Sequence, residues 1–589
     1  MSLSIQNVRD LLDKHGLSAI VIPTGDPHSS EYPCRHWQLR RALCPFTGSA
    51  GSVVITNDKA LLWTDSRYWE QAREELDGTP FALMCDGAPS TPKQAPWLCA
   101  NLPYGSRVGI DACSCALGPF SQLQSALKSR GMTLGDVSEA LYALWDDRPP
   151  LEIIPVLPFD CGQRPRSEKL SLVRQHVKKA GADTLLVCAL DDVAWLCNLR
   201  GADLPHTPVF LAYMLIREES ADLFIDPMKL GPSTVASLRK DAVRCRSYDA
   251  VDEALKDLPA SSVLFVDPAQ MNAHLYESVP TNIRIVTGTN PVTVLKSRKN
   301  PQELTFIRES MIDEGVALVS LFAWIKEQLR QGTVFSEWDV SEKLLELRQA
   351  SPRFVETSFQ TIAAVGSNAA QPHYAPSPEN SSPMTSGAML LIDSGGQYLT
   401  GTTDITRTVR IGPVSEAMKQ DYTAVLRSHI ALATARFPAG IHAGRLDSLA
   451  RKPLWQVGSD YGHGTGHGVG FFLNVHESPL SISPRTPTAE ATRLVNGVVV
   501  SNEPGLYRAG LWGVRLENLV TPVASDFQGF SEFETLSLCP FDRTLILADR
   551  LDEYEKLWLN NYHAIVRERL SPHLQETEKH WLDEATAPL

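Results

Sequence analysis

After Asn300 the chain repeats apolar residues at helical spacing. Leu304, Ile307, Met311, Leu318, Phe322, Ile325 and Leu329 recur in steps that put them on one buried face. Asn300 suits the cap, Pro301 the first helical position, and Glu303 closes a capping box, so a long helix is predicted to start there. Ahead of this point the pattern differs: short apolar runs alternate with polar loops, and the order occurs twice. GLSAIVIPTGD, FTGSAGSVVITND and ALLWTDSRY form the first copy; GADTLLVCALDD, LCNLRGADLPHTPVF and ADLFIDPMK form the second. Each reads as strand, polar loop, helix, glycine turn, strand and an Asp-terminated strand, which predicts two related α/β units. The Pro-rich segment WDDRPPLEIIPVLPFDCGQRPR, 145–166, reads as a linker, and TNPVTVLKSRKN, 289–300, as a second boundary. The expected parts are therefore 1–155, 156–295 and 296–589.

Within the last part, two strand-like segments each fold back on a Gly-rich stretch. LLIDSGGQYLTGTTDITRT carries Asp393 and Asp404, eleven residues apart; VVVSNEPGLYRAGLWGVRLENLV carries Glu503 and Glu517, fourteen apart. Each reads as a hairpin, at 388–410 and 497–522, whose strands bring same-face carboxylates together. Helices over one face of the resulting sheet make this part α+β. The tail, 541–589, reads as two helices joined at Ser571-Pro572, with Tyr554, Leu557, Trp558 and Tyr562 as its packing face.

Between the acidic segments lies His463-Gly-Thr-Gly-His467-Gly-Val-Gly. Alone it is ordinarily a Gly-rich turn, and it is no phosphate loop, because no Lys-Ser/Thr follows. Its neighbours change the reading. Four carboxylates and an imidazole converging repel one another by about 4 kcal/mol per pair at about 4 Å and an effective dielectric of about 20. Two divalent cations balance that charge, and a donor set of oxygens with one nitrogen suits manganese, cobalt or iron better than a thiolate-type zinc site. This is the logic of a two-metal hydrolase. On a strand, residues two apart share a face, so Thr406 is expected beside Asp404 and Arg515 beside Glu517, each orienting its carboxylate. Glu503 is the best general base.

With these motifs in view, the chain resembles the pita-bread metallopeptidases and, within them, the Xaa-Pro aminopeptidases. FQTIAAVGSNAAQPHYAP resembles the family's substrate-side loop, and HGTGHGVGFFLNVHE carries its metal histidine and two more. IPTGDPHSSEY, FTGSAGSVVIT, LLWTDSRYW and the tail WLNNYHAIVRERLSPHL resemble the long, three-domain cytosolic form. The resemblance implies two creatinase-type α/β N-terminal domains followed by an α+β pita-bread catalytic domain. It implies release of the first residue of peptides whose second residue is proline. Asp393, Asp404, His467, Glu503 and Glu517 would hold two divalent ions, most often Mn²⁺, with Co²⁺ or Zn²⁺ as alternatives. His373, His463 and His476 would line the substrate site, Arg515 stands at the family's arginine position and counts with them and Glu503 among the catalytic residues, and the chain would form a homodimer in the cytoplasm. Trp455, just ahead of the histidine motif, is an expected interface anchor, against the plainer reading of a core residue. Glu477, beside His476 on a strand-like run, is expected to point away and to be structural.

Prolidases share the five ligands but usually have one N-terminal domain; methionine aminopeptidases lack both, and creatinase-like enzymes lack the ligands. Silent pita-bread modules that bind proteins, as in histone chaperones, lose ligands, and here all five are present. At 589 residues the chain exceeds one core, and 43% hydrophobic residues suffice for several. A formal charge of −13 disfavours nucleic acid and anionic membranes. Early charges in MSLSIQNVRDLLDKHG argue against a signal peptide, and no apolar run approaches the ~20 residues of a membrane span. Eleven cysteines without CxxC spacing suit a reducing compartment.

Overall fold

The computed structural model describes residues 3–384 and 389–589; expectations that begin at residue 1 or 388 start outside them. The chain forms two compact units, 1–293 and 294–589. The first contains two six-stranded sheets of one topology. In sheet order, the first runs Ala82–Cys85, Ala60–Thr64, Ser52–Ile55, Ala19–Pro23, Arg107–Ile110, Thr133–Asp136. The second runs Val243–Arg246, Ala221–Ile225, Ala212–Ile216, Thr184–Val187, Val263–Val266, Arg284–Thr287. In both, the earliest strand pairs antiparallel on one side and parallel on the other. The twice-repeated apolar pattern is thus a twice-repeated fold.

The second unit is α+β. Helix Pro301–Gln331 begins as its sequence predicts: the Asn300 side chain accepts from the Gln302 and Glu303 backbones, and Glu303 reaches back to the cap. Ile307, Met311, Leu318, Phe322 and Ile325 are buried, as is Glu314 in the same stripe. The tail folds as helices Glu553–Leu570 and Glu576–Ala585 around the Ser571 turn. Its packing face matches the expected one in part. Tyr562 is buried, with Trp558 stacked on it at 5.5 Å, but Tyr554 and Leu557 are 61% and 57% exposed. Leu559, His563, Val566 and Leu570 join Tyr562 in the buried face, a stripe in steps of three and four that reaches the end of the helix. Glu477 is buried and pairs with Lys299 and, at 3.6 Å, Lys296, as expected of a structural residue.

Helix Glu337–Gln349 places a buried carboxylate under the segment that carries His373. Glu337 accepts from the backbone N–H of Val365 (2.6 Å) and Ser382 (2.7 Å), the Asn368 amide and the Tyr374 hydroxyl (2.8 Å). A carboxylate paired with four donors rather than a cation is an organiser of loop backbone. Glu337→Gln turns acceptor capacity into donors facing donors. The expected outcome is faster amide hydrogen exchange across 366–382, a loss of about 1–3 kcal/mol in local protection, with helix Glu416–Ala433 unchanged.

Candidate metal centre

Both acidic segments fold back as hairpins, and each hairpin is broken in two. Met389–Ser394 pairs with Ile405–Arg410, with Asp393 opposite Thr406. The inner strands Gly396–Tyr398 and Gly401–Thr402 pair in another sheet. In the second segment Val500–Asn502 pairs with Asn518–Ala524, while Gly505–Arg508 pairs with Trp512–Arg515 in a sheet of their own. Asp404, Glu503 and Glu517 stand at the breaks, and only Asp393 lies within a strand. The carboxylates therefore do not converge as cross-strand neighbours, as the hairpin pattern predicts. The chain changes sheets at the acids, which releases three of them from strand alternation. The backbones close in tightly there: a Cβ on Gly395 would lie 1.9 Å from the Thr403 carbonyl.

The result is a dense acidic cluster. Asp393, Asp404 and Glu517 offer oxygens within 4.8 Å of one another, and a ring nitrogen of His467 lies within the same distance of oxygens of Glu503 and Glu517, which are as close to each other. Glu517 belongs to both groups. Asp404 also belongs to two, the other shared with His467 and His476. Burial, then the neighbouring acids, hold the Asp404 and Glu517 carboxyls well above the usual range. Burial also raises Asp393, against the pull of Arg515. Asp393 Oδ1 and Glu517 Oε1 are buried without a hydrogen-bond partner. Buried acceptors left over in a cluster that demands positive charge fit cations. His467 fits as well. Its Nδ1 donates to the Gly468 carbonyl at 2.9 Å, which leaves the Nε2 lone pair aimed at Asp404 Oδ2 (3.4 Å) and Glu503 Oε1 (3.5 Å).

The neighbours of the acids differ in detail from the strand-face expectation. Arg515 binds Asp393, not Glu517: its Nε and Nη2 donate to Asp393 Oδ2 at 3.0 and 2.6 Å. Thr406 donates to Glu517 Oε2 at 2.8 Å, not to Asp404. The register places Thr406 opposite Asp393, and the break turns Asp404 and Glu517 off their strands, so the two-residue rule fails at both. Arg515 also donates to the carbonyl of Pro372, the residue before half-buried His373. His476 packs edge-on to His467, ring centroids 4.4 Å apart. His463 donates from Nδ1 to the Gly464 carbonyl (2.7 Å) and accepts at Nε2 from Tyr507 (2.8 Å); burial pushes it down to about 4, so the ring is neutral at neutral pH.

Three residues near the cluster escaped the sequence reading. Tyr507 joins His463 to Arg515, accepting from Nη1 at 2.8 Å. Ser501 accepts from the His467 backbone N–H and donates to Glu503; its place two residues before Glu503 on a strand was the available signal. Glu314, ion-paired with buried Arg348 (2.6 Å), accepts from Thr403 (2.9 Å), while Arg348 donates to Ser394 (2.8 Å). These hydroxyls adjoin Asp404 and Asp393. A charged residue inside an apolar stripe was the legible sign.

Known proteins resemble this chain along its whole length. The model of metallopeptidase family M24 matches residues 306–522, and its C-terminal region matches 529–589. Creatinase/prolidase N-terminal domains match 5–144 and 147–303. Xaa-Pro aminopeptidase 1 of Dictyostelium discoideum is 36% identical, covering 100% of this chain and 97% of that protein. The Xaa-Pro aminopeptidase ApepP of Drosophila melanogaster is 37% identical, covering 98% and 96%. The crystal structure of X-prolyl aminopeptidase from Caenorhabditis elegans, described as a cytosolic enzyme with a di-nuclear active site, is 33% identical, covers 99% of each chain and superposes with a TM-score of 0.95. An Xaa-Pro dipeptidase from Bacillus anthracis, 24% identical with a TM-score of 0.51 over 64% of this chain and 99% of its own, shares the fold. With both creatinase-type units, the acidic cluster and relatives matched end to end, the chain belongs to the Xaa-Pro aminopeptidases of metallopeptidase family M24.

Proposed function

We propose that this chain is an aminopeptidase that hydrolyses the bond between an N-terminal residue and a following proline. The observation that carries the reading is the buried cluster of Asp393, Asp404, His467, Glu503 and Glu517, on a chain matched in full length by Xaa-Pro aminopeptidases. In this reading the three-part division at about residues 155 and 295 holds, with catalysis in the last part.

The five residues would hold two divalent cations, Mn²⁺ first, with Co²⁺ or Zn²⁺ as alternatives. The ions would neutralise the carboxylates, acidify water and polarise a carbonyl oxygen. The chain's own residues do the rest. Glu503 takes a proton from the attacking water and hands it to the proline nitrogen as the C–N bond breaks. Arg515 holds Asp393 in place, and Thr406 and Ser501 hold Glu517 and Glu503. His463 spends its single N–H on Gly464 and orients Tyr507. His373 and His476, near the cluster, are the proposed donors to the scissile carbonyl or to the developing oxyanion.

Proline at the second position brings no amide N–H, so a site built for it needs no acceptor there. Alanine brings an unpaired N–H, at about 1–3 kcal/mol, and loses ring packing, at about 0.8 kcal/mol per methylene. Cleavage of Xaa-Pro-Yaa is expected to exceed that of Xaa-Ala-Yaa by at least ~10²-fold in kcat/KM, to vanish on chelation and to return with Mn²⁺. Equal cleavage of the two peptides contradicts the aminopeptidase reading. Cleavage confined to Xaa-Pro dipeptides favours a prolidase.

Two finer points belong to the same reading. No helix of the described residues is long and apolar enough to cross a membrane, and the eleven cysteines are free thiols; a cytoplasmic enzyme is proposed. A homodimer through the catalytic part is also proposed, because Trp455 is 50% exposed and Val457 and Leu449, close to it in sequence, are 59% and 40% exposed, apolar residues that a partner could cover. Trp455→Glu is expected to convert a dimer to a monomer by light scattering at micromolar concentration. A wild-type monomer there contradicts the dimer.

A further inference from the structure

Strand Ile405–Arg410 serves two sides of the catalytic unit. Thr406 reaches the Glu517 carboxylate. Its neighbour Arg407 is 1% exposed and reaches the main chain of the same residue. Arg407 Nη1 donates to the Glu517 carbonyl (2.6 Å) and the Thr406 carbonyl (2.8 Å). Nη2 donates to Asn518 Oδ1 (2.8 Å), the Cys539 carbonyl (2.6 Å) and the Tyr562 hydroxyl (3.0 Å), and Nε to the Pro540 carbonyl (3.2 Å). The guanidinium also lies over the Phe541 ring, 4.2 Å from its centroid. None of its six acceptors is a carboxylate.

A buried cation without an anionic partner is held at a cost that apolar residues of equal volume would avoid. What this one gains is geometry. It joins Ile405–Arg410 of the three-stranded sheet to Asn518–Ala524 of the six-stranded sheet, at the break where Glu517 sits. Tyr562, on helix Glu553–Leu570, closes the arrangement: besides Arg407 it touches Asn518 Oδ1 (3.3 Å) and the Ser537 and Cys539 carbonyls (3.0 and 2.9 Å). Helix Glu553–Leu570 and the backbone of Glu517 therefore share one hydrogen-bond network.

We infer that Arg407 and Tyr562 are positioning residues, through which the C-terminal extension sets the backbone of Glu517 so that its carboxylate serves both cation groups. This rests on the ligand reading above. The test uses full-length, chelator-stripped protein titrated with Mn²⁺ by calorimetry, with the apo thermal midpoint recorded alongside. Tyr562→Phe removes one hydroxyl. It is expected to keep the fold and to bind Mn²⁺ about tenfold more weakly, the scale of one lost hydrogen bond to a charged group. Arg407→Lys keeps the charge but loses the fork and is expected to weaken binding more; if it does not fold, Tyr562→Phe decides. Leu559→Ala, a core change on the same helix, is expected to lower the thermal midpoint and leave Mn²⁺ affinity unchanged. Wild-type affinity in Tyr562→Phe, or equal weakening in Leu559→Ala, overturns the inference alone. A wild-type chain that binds no Mn²⁺ overturns the ligand reading and this inference with it.

Discussion

Mutual repulsion among buried carboxylates is the constraint on which this catalytic unit is built. Asp393, Asp404 and Glu517 are at most 8% exposed and press against one another and Glu503. Left to themselves they would take up protons, which is the direction in which burial and their neighbours move them. One guanidinium, Arg515, answers part of that charge from the Asp393 side. The remainder calls for cations, and the acceptors without hydrogen-bond partners on Asp393 and Glu517 say where.

The scaffold reads as the means of holding that repulsion in place. Two broken hairpins let one chain feed four sheets within a few residues of the acids. Rigid polar supports then grip the breaks from behind. Glu314 and Arg348 hold the hydroxyls next to Asp404 and Asp393. Arg407 grips the main chain at Glu517, and Glu337 fixes the loop of His373. Each is buried and directs hydrogen bonds to backbone, hydroxyl or amide groups near the cluster, and Glu314 and Arg348 also pair with each other. Such groups stabilise little compared with apolar packing, but they specify geometry.

Much of this was legible in the sequence, for physical reasons. The Asn300 cap and the stripe behind it, the doubled α/β pattern and the two acidic segments rest on local periodicity, which the chain carries in plain order. The partners of Arg515 and Thr406 did not follow, because strand alternation stops where a hairpin changes sheets. Half of the tail's expected face is exposed for a related reason: Leu557 is as apolar as Leu559, and only tertiary contact decides which residues join Trp558 and Tyr562 in the packed stripe. Tyr507, Glu314 and Arg407 were missed because a buried polar residue is defined by partners that the fold brings close, as Glu517 and Asn518 are to Arg407, and not by its immediate neighbours in sequence.

The central claim is that the cluster would hold two divalent cations, with Glu517, common to two of its ligand groups, needed for both. Low-temperature electron paramagnetic resonance on the chelated chain reloaded with two equivalents of Mn²⁺ tests it most directly. The expected result is the broad, multi-line spectrum of an exchange-coupled Mn²⁺ pair, which collapses to isolated six-line Mn²⁺ signals in Glu517→Gln. An isolated six-line spectrum from the fully loaded wild-type chain would contradict the account.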